Sequence, residues 1–424
     1  MKMAVLVWEY PPKIVGGLGT YAAEITRKFI LLDQEISVFT MNDDDGNLPT
    51  RELWRGVEIH RPLHVDVSDS LPDVIAEDVR KSGMGGGIQF FSKILVYNYL
   101  SASKIINELV SKEGFQYDIV TAHDWLSAIA GITVKRDLDL PFVFHVHSTE
   151  KGRTLGNGSE VKNNIEHRAA QMADMVVTVS NAMKEELIGL GFPQEKIKVC
   201  YNGVDPQKYS PDKVNADEVK KLRALYGVKD NEFMILFIGR LAWIKGIDKL
   251  LMAMPLILKE IPNAKLVIVG VGEMKEHAEK IVQSQKLQDS VKFRFEFVPE
   301  EERIAHYAAC DVAVFPSLYE PFGIVAIEAM SMEKPIVVGA TGISGMKEIV
   351  ISEGPQQCGF HVNPNDPSDI AWGVLNSIKD PARKIELGKN GRKRVLENFT
   401  WDVIVRKTLG LYEQLLASKN EVKK

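Results

Sequence analysis

The stretch VAVFPSLYEPFGIVAIEAM, residues 312–330, decides how the chain is read. Val312–Pro316 is short, apolar and β-branched, as a buried parallel strand is. It stops at a turn where prolines and Gly323 deny the chain a regular element, and an apolar helix begins at about Gly323. The backbone N–H groups at such a helix start have no internal partner and carry the positive end of the helix dipole, so they suit a phosphate. Glu320 lies just outside the helix and Glu328 about a turn and a half inside it, among Val325, Ala326, Ile327, Ala329 and Met330. An ionised carboxylate among apolar neighbours is costly unless paired, so Glu328 is expected to meet a hydroxyl pair or a cation. The alternative is an incidental glutamate on a solvated helix face, against which stands that the flanking residues leave no polar face for it.

Outward from this unit the same strand, turn and helix alternation recurs along the chain and predicts α/β architecture with parallel sheets. In the first half, strands are read at Met3–Trp8, Ile36–Thr40, Asp118–Ala122, Phe142–His145, Met175–Val179 and Lys198–Cys200, with helices near Thr20–Leu32, Gln89–Leu109, Ser127–Arg136 and Ala182–Leu190. Asn42–Gly87 fits less cleanly, and its GMGGG tract at Gly83–Gly87 reads as a flexible surface loop. The pattern breaks at NGVDPQKYSPDK after Asn202, which is read as the linker. The second half opens with strand Phe233–Ile238 and continues with strands at Lys265–Val269, Val291–Phe295, Val312–Phe315 and Pro335–Val338. Its helices are read near Ile247–Lys259, Lys275–Gln285, Glu300–Ala309, Gly323–Met332 and Pro367–Lys379. Two helices, Ala382–Asn398 and Trp401–Ala417, close the chain.

The expectation is two Rossmann-like, doubly wound domains, residues 1–210 and 211–400, facing each other across a cleft, with a helix at 401–424 returning to the first domain. Ligands of such sheets bind at the carboxyl ends of the strands.

Length and composition agree. The 424 residues suit two domains, and 45% hydrophobic with 26% charged residues excludes disorder as the dominant state. Three scattered cysteines, Cys200, Cys310 and Cys358, suggest neither a disulfide framework nor a cysteine-rich zinc site, and point to a reducing, cytoplasmic setting. A net charge of −5 gives no case for nucleic acid as partner. MKMAVLVWEYPP reads as a buried first strand and not as a signal peptide, and no stretch approaches the length of a membrane span.

Three further constellations sit at predicted strand ends. In Gly239-Arg240-Leu241-Ala242-Trp243-Ile244-Lys245-Gly246, Arg240 and Lys245 are placed to clamp a diphosphate and stabilise its charge as a sugar leaves; two incidental surface cations are the alternative. Gly16, Gly17 and Gly19, in the loop after the first strand, allow close backbone approach to a ligand, but this is not GxGxxG and no dinucleotide fingerprint is present. His123-Asp124-Trp125 follows one strand, and His145-Val146-His147 another. Period two puts His145 and His147 on one side of an extended chain, which also invites a zinc reading. With no cysteine near and no third ligand fixed, one histidine is read as structural and His147 as a hydrogen-bond donor to a sugar.

These residues together resemble retaining glycosyltransferases of the GT-B fold, the group that includes archaeal and bacterial glycogen synthases and the broader hexosyltransferase family. The resemblance rests on Gly16–Leu18, His123–Trp125, His147, Asn202-Gly203-Val204-Asp205, Gly239–Lys245 and the pair Glu320 and Glu328, and it covers nearly the whole chain. It implies a nucleotide-sugar donor, no cofactor and no catalytic metal. It assigns Arg240 and Lys245 to the donor diphosphate, Glu328 to the ribose hydroxyls, and Glu320 with the backbone of Phe322, Gly323 and Ile324 to the transferred sugar. Main-chain contacts to the base are implied near Phe297–Pro299, at Val298. Gly16 and Gly17 would approach the phosphates, His147 would line the sugar site, and His123, Asp124 and Trp125 would stand on the acceptor side. The leaving phosphate would help deprotonate the incoming hydroxyl.

One departure is visible. Glycogen and starch synthases carry a lysine two positions before the paired glycines, where this chain has Ile14 or Val15 with Lys13 beside it. His-Asp-Trp and EPFGIVAIEAM nevertheless make glucose and an α-glucan the first donor-sugar and acceptor expected. The competing readings are a lipid or small-sugar acceptor, a nucleotide-sugar 2-epimerase, a pyridoxal-dependent phosphorylase using Lys334, and a non-enzymic sugar-binding protein. A lipid acceptor would call for a basic amphipathic helix, yet Thr20–Leu32 offers only Arg27 and Lys28.

Overall fold

The computed structural model describes residues 1–14, 16–42, 46–63, 65 and 87–422. The chain forms two compact units, Met1–Tyr201 with Ile404–Lys424, and Asn202–Val403.

The first unit is built on an eight-stranded sheet in the order β3-β4-β2-β1-β5-β6-β7-β8. Its strands are β1 (Lys2–Leu6), β2 (Glu35–Phe39), β3 (Arg51–Trp54), β4 (Val57–His60), β5 (Ile119–His123), β6 (Phe142–Val146), β7 (Met175–Thr178) and β8 (Ile197–Val199). The inner strands β5, β6 and β7 are buried along their whole length because helices cover both faces of a parallel sheet; Met3, Ala4 and Leu6 of β1 are fully buried. Central β1 pairs with β2 on one side and β5 on the other, both parallel. The chain therefore changes direction across the sheet between β1 and β5, the point at whose carboxyl ends open α/β sheets bind ligands.

Three features differ from the sequence reading. The Asn42–Gly87 segment contains the antiparallel hairpin β3–β4, joined by Arg55 and Gly56, both at positive φ (52° and 84°), the geometry of a tight two-residue hairpin turn. Gly83–Gly86 of the glycine tract lie outside the described residues, and Gly87 begins a helix, Gly87–Ser103. The helix Glu160–Met172 was not anticipated, because its inward positions include Lys162 and Glu166 as well as Ala169 and Ala170. A helix that buries charges shows no apolar stripe.

The second unit holds a six-stranded, wholly parallel sheet in the order β11-β10-β9-β12-β13-β14. The strands are β9 (Phe233–Ile238), β10 (Ala264–Val269), β11 (Val291–Arg294), β12 (Val312–Phe315), β13 (Ile336–Gly339) and β14 (Gly359–Val362). The short edge strand β14 was not read from sequence. Here β9 is central, with β10 and β12 as neighbours, so the switch point lies between β9 and β12.

The segment from Asn202 read as the linker belongs to the second unit, which spans Asn202–Val403 where the sequence reading set bounds of 211–400. Ser331 donates to the Tyr209 carbonyl at 2.6 Å, and Arg392 donates to the same carbonyl at 3.0 Å. At the other end the units divide inside the helix Trp401–Val422. From Ile404 onward that helix packs with the first unit, where Thr408 lies 3.2 Å from the Cys200 thiol and Lys419 pairs with Asp174 at 2.5 Å.

Candidate functional site

In the second unit, two loops leave the strands that flank the switch point. The loop after β9 runs through Gly239–Gly246, and the loop after β12 through Pro316–Gly323. Gly246 has φ 68°, and a Cβ there would stand 2.1 Å from the Pro316 carbonyl oxygen, so only glycine lets the loops close together. Leu318 N–H completes the seam on the Ile244 carbonyl at 2.8 Å.

This contact brings Lys245 Nζ to 2.6 Å from Glu320 Oε2, while the Ser317 hydroxyl reaches the same oxygen at 3.3 Å. Glu320 is held by its own backbone, whose N–H donates to the Ile343 carbonyl at 3.0 Å and whose carbonyl accepts the Gly345 N–H at 2.8 Å. Arg240, on the same loop as Lys245, is exposed. Phe322 is buried beneath, and Gly323, at φ 104°, precedes the helix Ile324–Ser331, whose N-terminus no side chain caps. Val298 is buried in the stretch that leads from β11 into the helix Glu300–Ala309.

Glu328, 4% exposed, lies on the second turn of the helix Ile324–Ser331. Tyr209 donates to its Oε1 at 2.9 Å and Tyr307 to its Oε2 at 2.8 Å, while Arg303 Nη2 stands 3.4 Å from Oε1. Arg303 also donates to the Tyr209 hydroxyl from Nε and Nη2, at 3.1 and 2.8 Å, so cation, phenol and carboxylate form one polarised chain. Burial, and then the Glu328 charge, hold both phenols far above the ordinary tyrosine range, so they remain donors; the Glu328 charge holds Arg303 ionised. The hydroxyl pair and the cation expected around Glu328 are thus supplied by the protein itself. A carboxylate has about four acceptor sites, which leaves capacity beyond these three contacts. Tyr209, Arg303 and Tyr307 were not singled out from sequence. Arg303 and Tyr307 stand four apart on the helix after Val298, a spacing that puts them on one face.

The first unit's switch point carries the other sequence candidates. Gly17 opens the helix Gly17–Ile30, and Gly16 N–H donates to Glu9 at 3.0 Å. A Cβ on Gly16 would meet nothing within 4 Å, whereas one on Gly19 would press on Ile14 and Glu9 at 3.0–3.1 Å, so the steric demand falls on Gly19. Across the switch point, His123 ends β5 and Asp124 follows at φ 55°. That left-handed turn aims Asp124 Oδ1 at the N–H of His147, 2.7 Å, and of Ser148, 3.4 Å, which fixes the chain as it leaves β6. Trp125 is fully buried.

His123, His145 and His147 cluster with Tyr21, and burial holds all three imidazoles below the ordinary histidine range, hence neutral. Their nitrogens lie within 4.8 Å of one another, which revives the zinc reading. His123 Nδ1 and His147 Nε2 are 3.1 Å apart, with ring centroids 5.4 Å apart and planes 26° from parallel, an edge-to-edge hydrogen bond in which one nitrogen donates and the other accepts. His145 is engaged separately, Nε2 to the Tyr412 hydroxyl at 2.7 Å.

Both switch points thus present strand ends and loops where parallel α/β sheets bind ligands, and comparison with known proteins identifies the family. The chain is 34% identical, over 97% of its length and 98% of the relative's, to an uncharacterized glycosyltransferase of Methanocaldococcus jannaschii. The chain belongs to the GT-B glycosyltransferases. Residues 15–208 match the glycosyltransferase family 4 model and residues 218–394 the model for glycosyl transferases group 1. A glycogen synthase of Mycobacterium tuberculosis is 25% identical over 99% of this chain and 96% of its own. Among solved structures, sucrose-phosphate synthase from Thermosynechococcus elongatus superposes with a TM-score of 0.77 at 24% identity, covering 98% of this chain and 99% of that one. Anabaena HepE, in complex with UDP and glucose, gives 0.73 at 21% identity, covering 98% and 100%. These structures share the fold of this glycosyltransferase. Among its described residues no helix is long and apolar enough to cross a membrane.

Proposed function

We propose that the enzyme transfers a hexose, glucose first, from a nucleoside-diphosphate sugar to a saccharide acceptor with retention of anomeric configuration, and that the acceptor is an α-1,4-glucan as in glycogen synthesis. The observation that carries the reading is the Lys245–Glu320 pair, 2.6 Å apart beside an uncapped helix start at the switch point of the second unit. A fixed cation and a carboxylate beside a helix start that no side chain caps suit a diphosphate joined to a hydroxyl-rich ring.

In this scheme Arg240 and Lys245 take the diphosphate, and Lys245 neutralises the charge that grows on the leaving oxygen. Glu320 and the backbone of Phe322, Gly323 and Ile324 hold the sugar. Glu328 accepts from the ribose hydroxyls on the acceptor capacity that its tyrosines leave, and the Val298 main chain meets the base. On the first unit, Gly16 and Gly17 are assigned to phosphate, His147 to the sugar, and His123, Asp124 and Trp125 to the acceptor side. The bond from the anomeric carbon to phosphate oxygen breaks, the acceptor oxygen bonds to that carbon on the same face, and its proton passes to the departing phosphate. No step calls on a metal or cofactor. The likeness to a glycogen synthase supports the glucan acceptor, and HepE's complex with UDP and glucose supports a nucleotide-linked glucose donor. Three free, buried cysteines suit a cytoplasmic setting.

The test is a donor screen with UDP-glucose, ADP-glucose, GDP-mannose and UDP-N-acetylglucosamine, each with and without glycogen, reading released nucleoside diphosphate. Glycogen-dependent release from a glucose donor is expected. Release that glycogen leaves unaffected would remove the glucan and move the acceptor to a lipid or small sugar.

A further inference from the structure

The histidines at the first unit's switch point differ in what each ring nitrogen meets. On β5, His123 Nε2 lies 3.4 Å from the Thr121 hydroxyl, and His123 Nδ1 lies 3.1 Å from His147 Nε2. His145 stacks on the His123 ring, with centroids 4.5 Å apart and planes 24° from parallel, and the Tyr412 hydroxyl holds His145 in turn at 2.7 Å, so the His123 ring is braced on its face. Thr121 and His123 are buried, at 1% and 3% exposed, whereas His147 is half-buried. His147 Nδ1 has no hydrogen-bond partner among the described residues and is not one of the enclosed unpaired atoms. In the row Thr121, His123, His147 it is therefore the ring nitrogen that a ligand can reach.

Burial keeps these imidazoles neutral, so each carries one proton and offers one lone pair. Two proton arrangements fit the contacts. In the first, His147 Nε2–H donates to His123 Nδ1 and His123 Nε2–H donates to Thr121 Oγ1, which leaves the buried Thr121 proton without an acceptor among the described residues. In the second, Thr121 donates to His123 Nε2 and His123 Nδ1–H donates to His147 Nε2, so every proton before His147 Nδ1 has an acceptor. A buried donor left unpaired is the rarer and costlier fault, since an oxygen with a spare lone pair is better tolerated, and the second arrangement follows. We infer that His123 is a positioning residue for the transfer: with Thr121 it holds His147 as the Nδ1–H tautomer, so that His147 presents a hydrogen-bond donor to an oxygen of the bound sugar. The inference rests on the transferase reading above, in which His147 lines the sugar site. His123 acts through His147 and needs no contact with a substrate. Asp124, next in the chain, fixes the other end of the arrangement by accepting the His147 backbone N–H at 2.7 Å.

The experiment has a spectroscopic and a kinetic part. Long-range proton–nitrogen NMR of the full chain with isotope-labelled histidine reports which nitrogen of each imidazole carries the proton, and spectra of His123→Phe and His147→Asn assign the signals. Nδ1–H is expected at both His123 and His147; Nε2–H at either would overturn the inference whatever the activity. Nucleoside-diphosphate release from the sugar donor that wild type turns over is then compared among variants, with UDP affinity measured on the same samples. His123→Phe keeps a ring and removes both nitrogens, and should lower kcat about tenfold or more while UDP affinity stays within about twofold. His123→Asn, whose amide nitrogen stands where Nδ1 stood, should recover most of that loss. In a His147→Ala background, His123→Phe should cost nothing further, because the group it acts through is gone. A His123→Phe loss that adds in full to that of His147→Ala, no recovery in His123→Asn, or zinc in the purified chain that His123→Phe removes would each overturn the assignment. A wild type that binds no UDP would count against the transferase reading instead, while the tautomers still decide the proton arrangement.

Discussion

Replacing Arg303 by methionine separates a paired buried carboxylate from an unpaired one. Glu328 is 4% exposed and receives the Tyr307 hydroxyl at 2.8 Å, the Tyr209 hydroxyl at 2.9 Å and the Arg303 charge at 3.4 Å. Tyr307→Phe removes one donor to a charged acceptor, worth about 1.5–3 kcal/mol. Arg303→Met removes the only opposite charge that reaches Glu328 among the described residues, and it also takes two donors from Tyr209. That leaves an uncompensated buried charge, at about 3–5 kcal/mol. For a unit of roughly 200 residues, at about 2–4 °C per kcal/mol, the second unit's calorimetric transition should fall on the order of 10 °C, and by clearly less in Tyr307→Phe. The double variant Arg303→Met/Glu328→Gln should recover most of the loss, because the unpaired charge is then gone. An Arg303→Met loss no larger than that of Tyr307→Phe, or a double variant less stable than either single one, would refute the picture of a charge chain held by Arg303.

The buried neutral imidazoles give a pH dependence of definite sign. His123, His145 and His147 have their affinity for a proton lowered by burial, so below about pH 6.5 the unfolded chain binds protons that the native one refuses, and stability should fall as pH falls; Tm across pH 7.5 to 5 checks this. Glu166 runs the other way. Burial pushes its carboxyl up to about 8, so the native state keeps a proton that the unfolded state loses, and stability declines as pH rises from about 4.5 through about 8. Glu166→Gln should therefore raise Tm at pH 9 and change it little at pH 4. Gly246→Ala should displace the loop that carries Lys245, since its Cβ would stand 2.1 Å from the Pro316 oxygen, and lower nucleoside-diphosphate release at least tenfold in a rate assay.

Much of this was legible because hydrophobic periodicity reports buried parallel strands directly. Central strands such as Phe233–Ile238 and Val312–Phe315 fell where expected, since both faces are covered and every residue is apolar. What escaped has physical causes. Strand β3 alternates half-exposed with exposed residues, and the β3–β4 hairpin turns on Arg55-Gly56 instead of an asparagine-glycine pair. The helix Glu160–Met172 hides its inward face behind Lys162 and Glu166, and a buried charge is invisible to a pattern that equates polar with exposed. At the site, the need of Glu328 for partners was readable from its apolar neighbours. Their identity was not, because Tyr209 arrives from the linker and depends on tertiary packing. The histidines show the same limit: alternation placed His145 and His147 on one side, but only coordinates show that His123 and His147 face each other edge to edge.

The initial rate of nucleoside-diphosphate release from a glucose donor with glycogen, compared in one assay for wild type, Lys245→Ala and Glu328→Ala, bears on the donor site itself. Glycogen-dependent release is expected of wild type, with losses on the order of a hundredfold or more in both variants, several kcal/mol of transition-state stabilisation. Near-normal rates in both variants would contradict the assignment of the loops after β9 and β12 as the donor site.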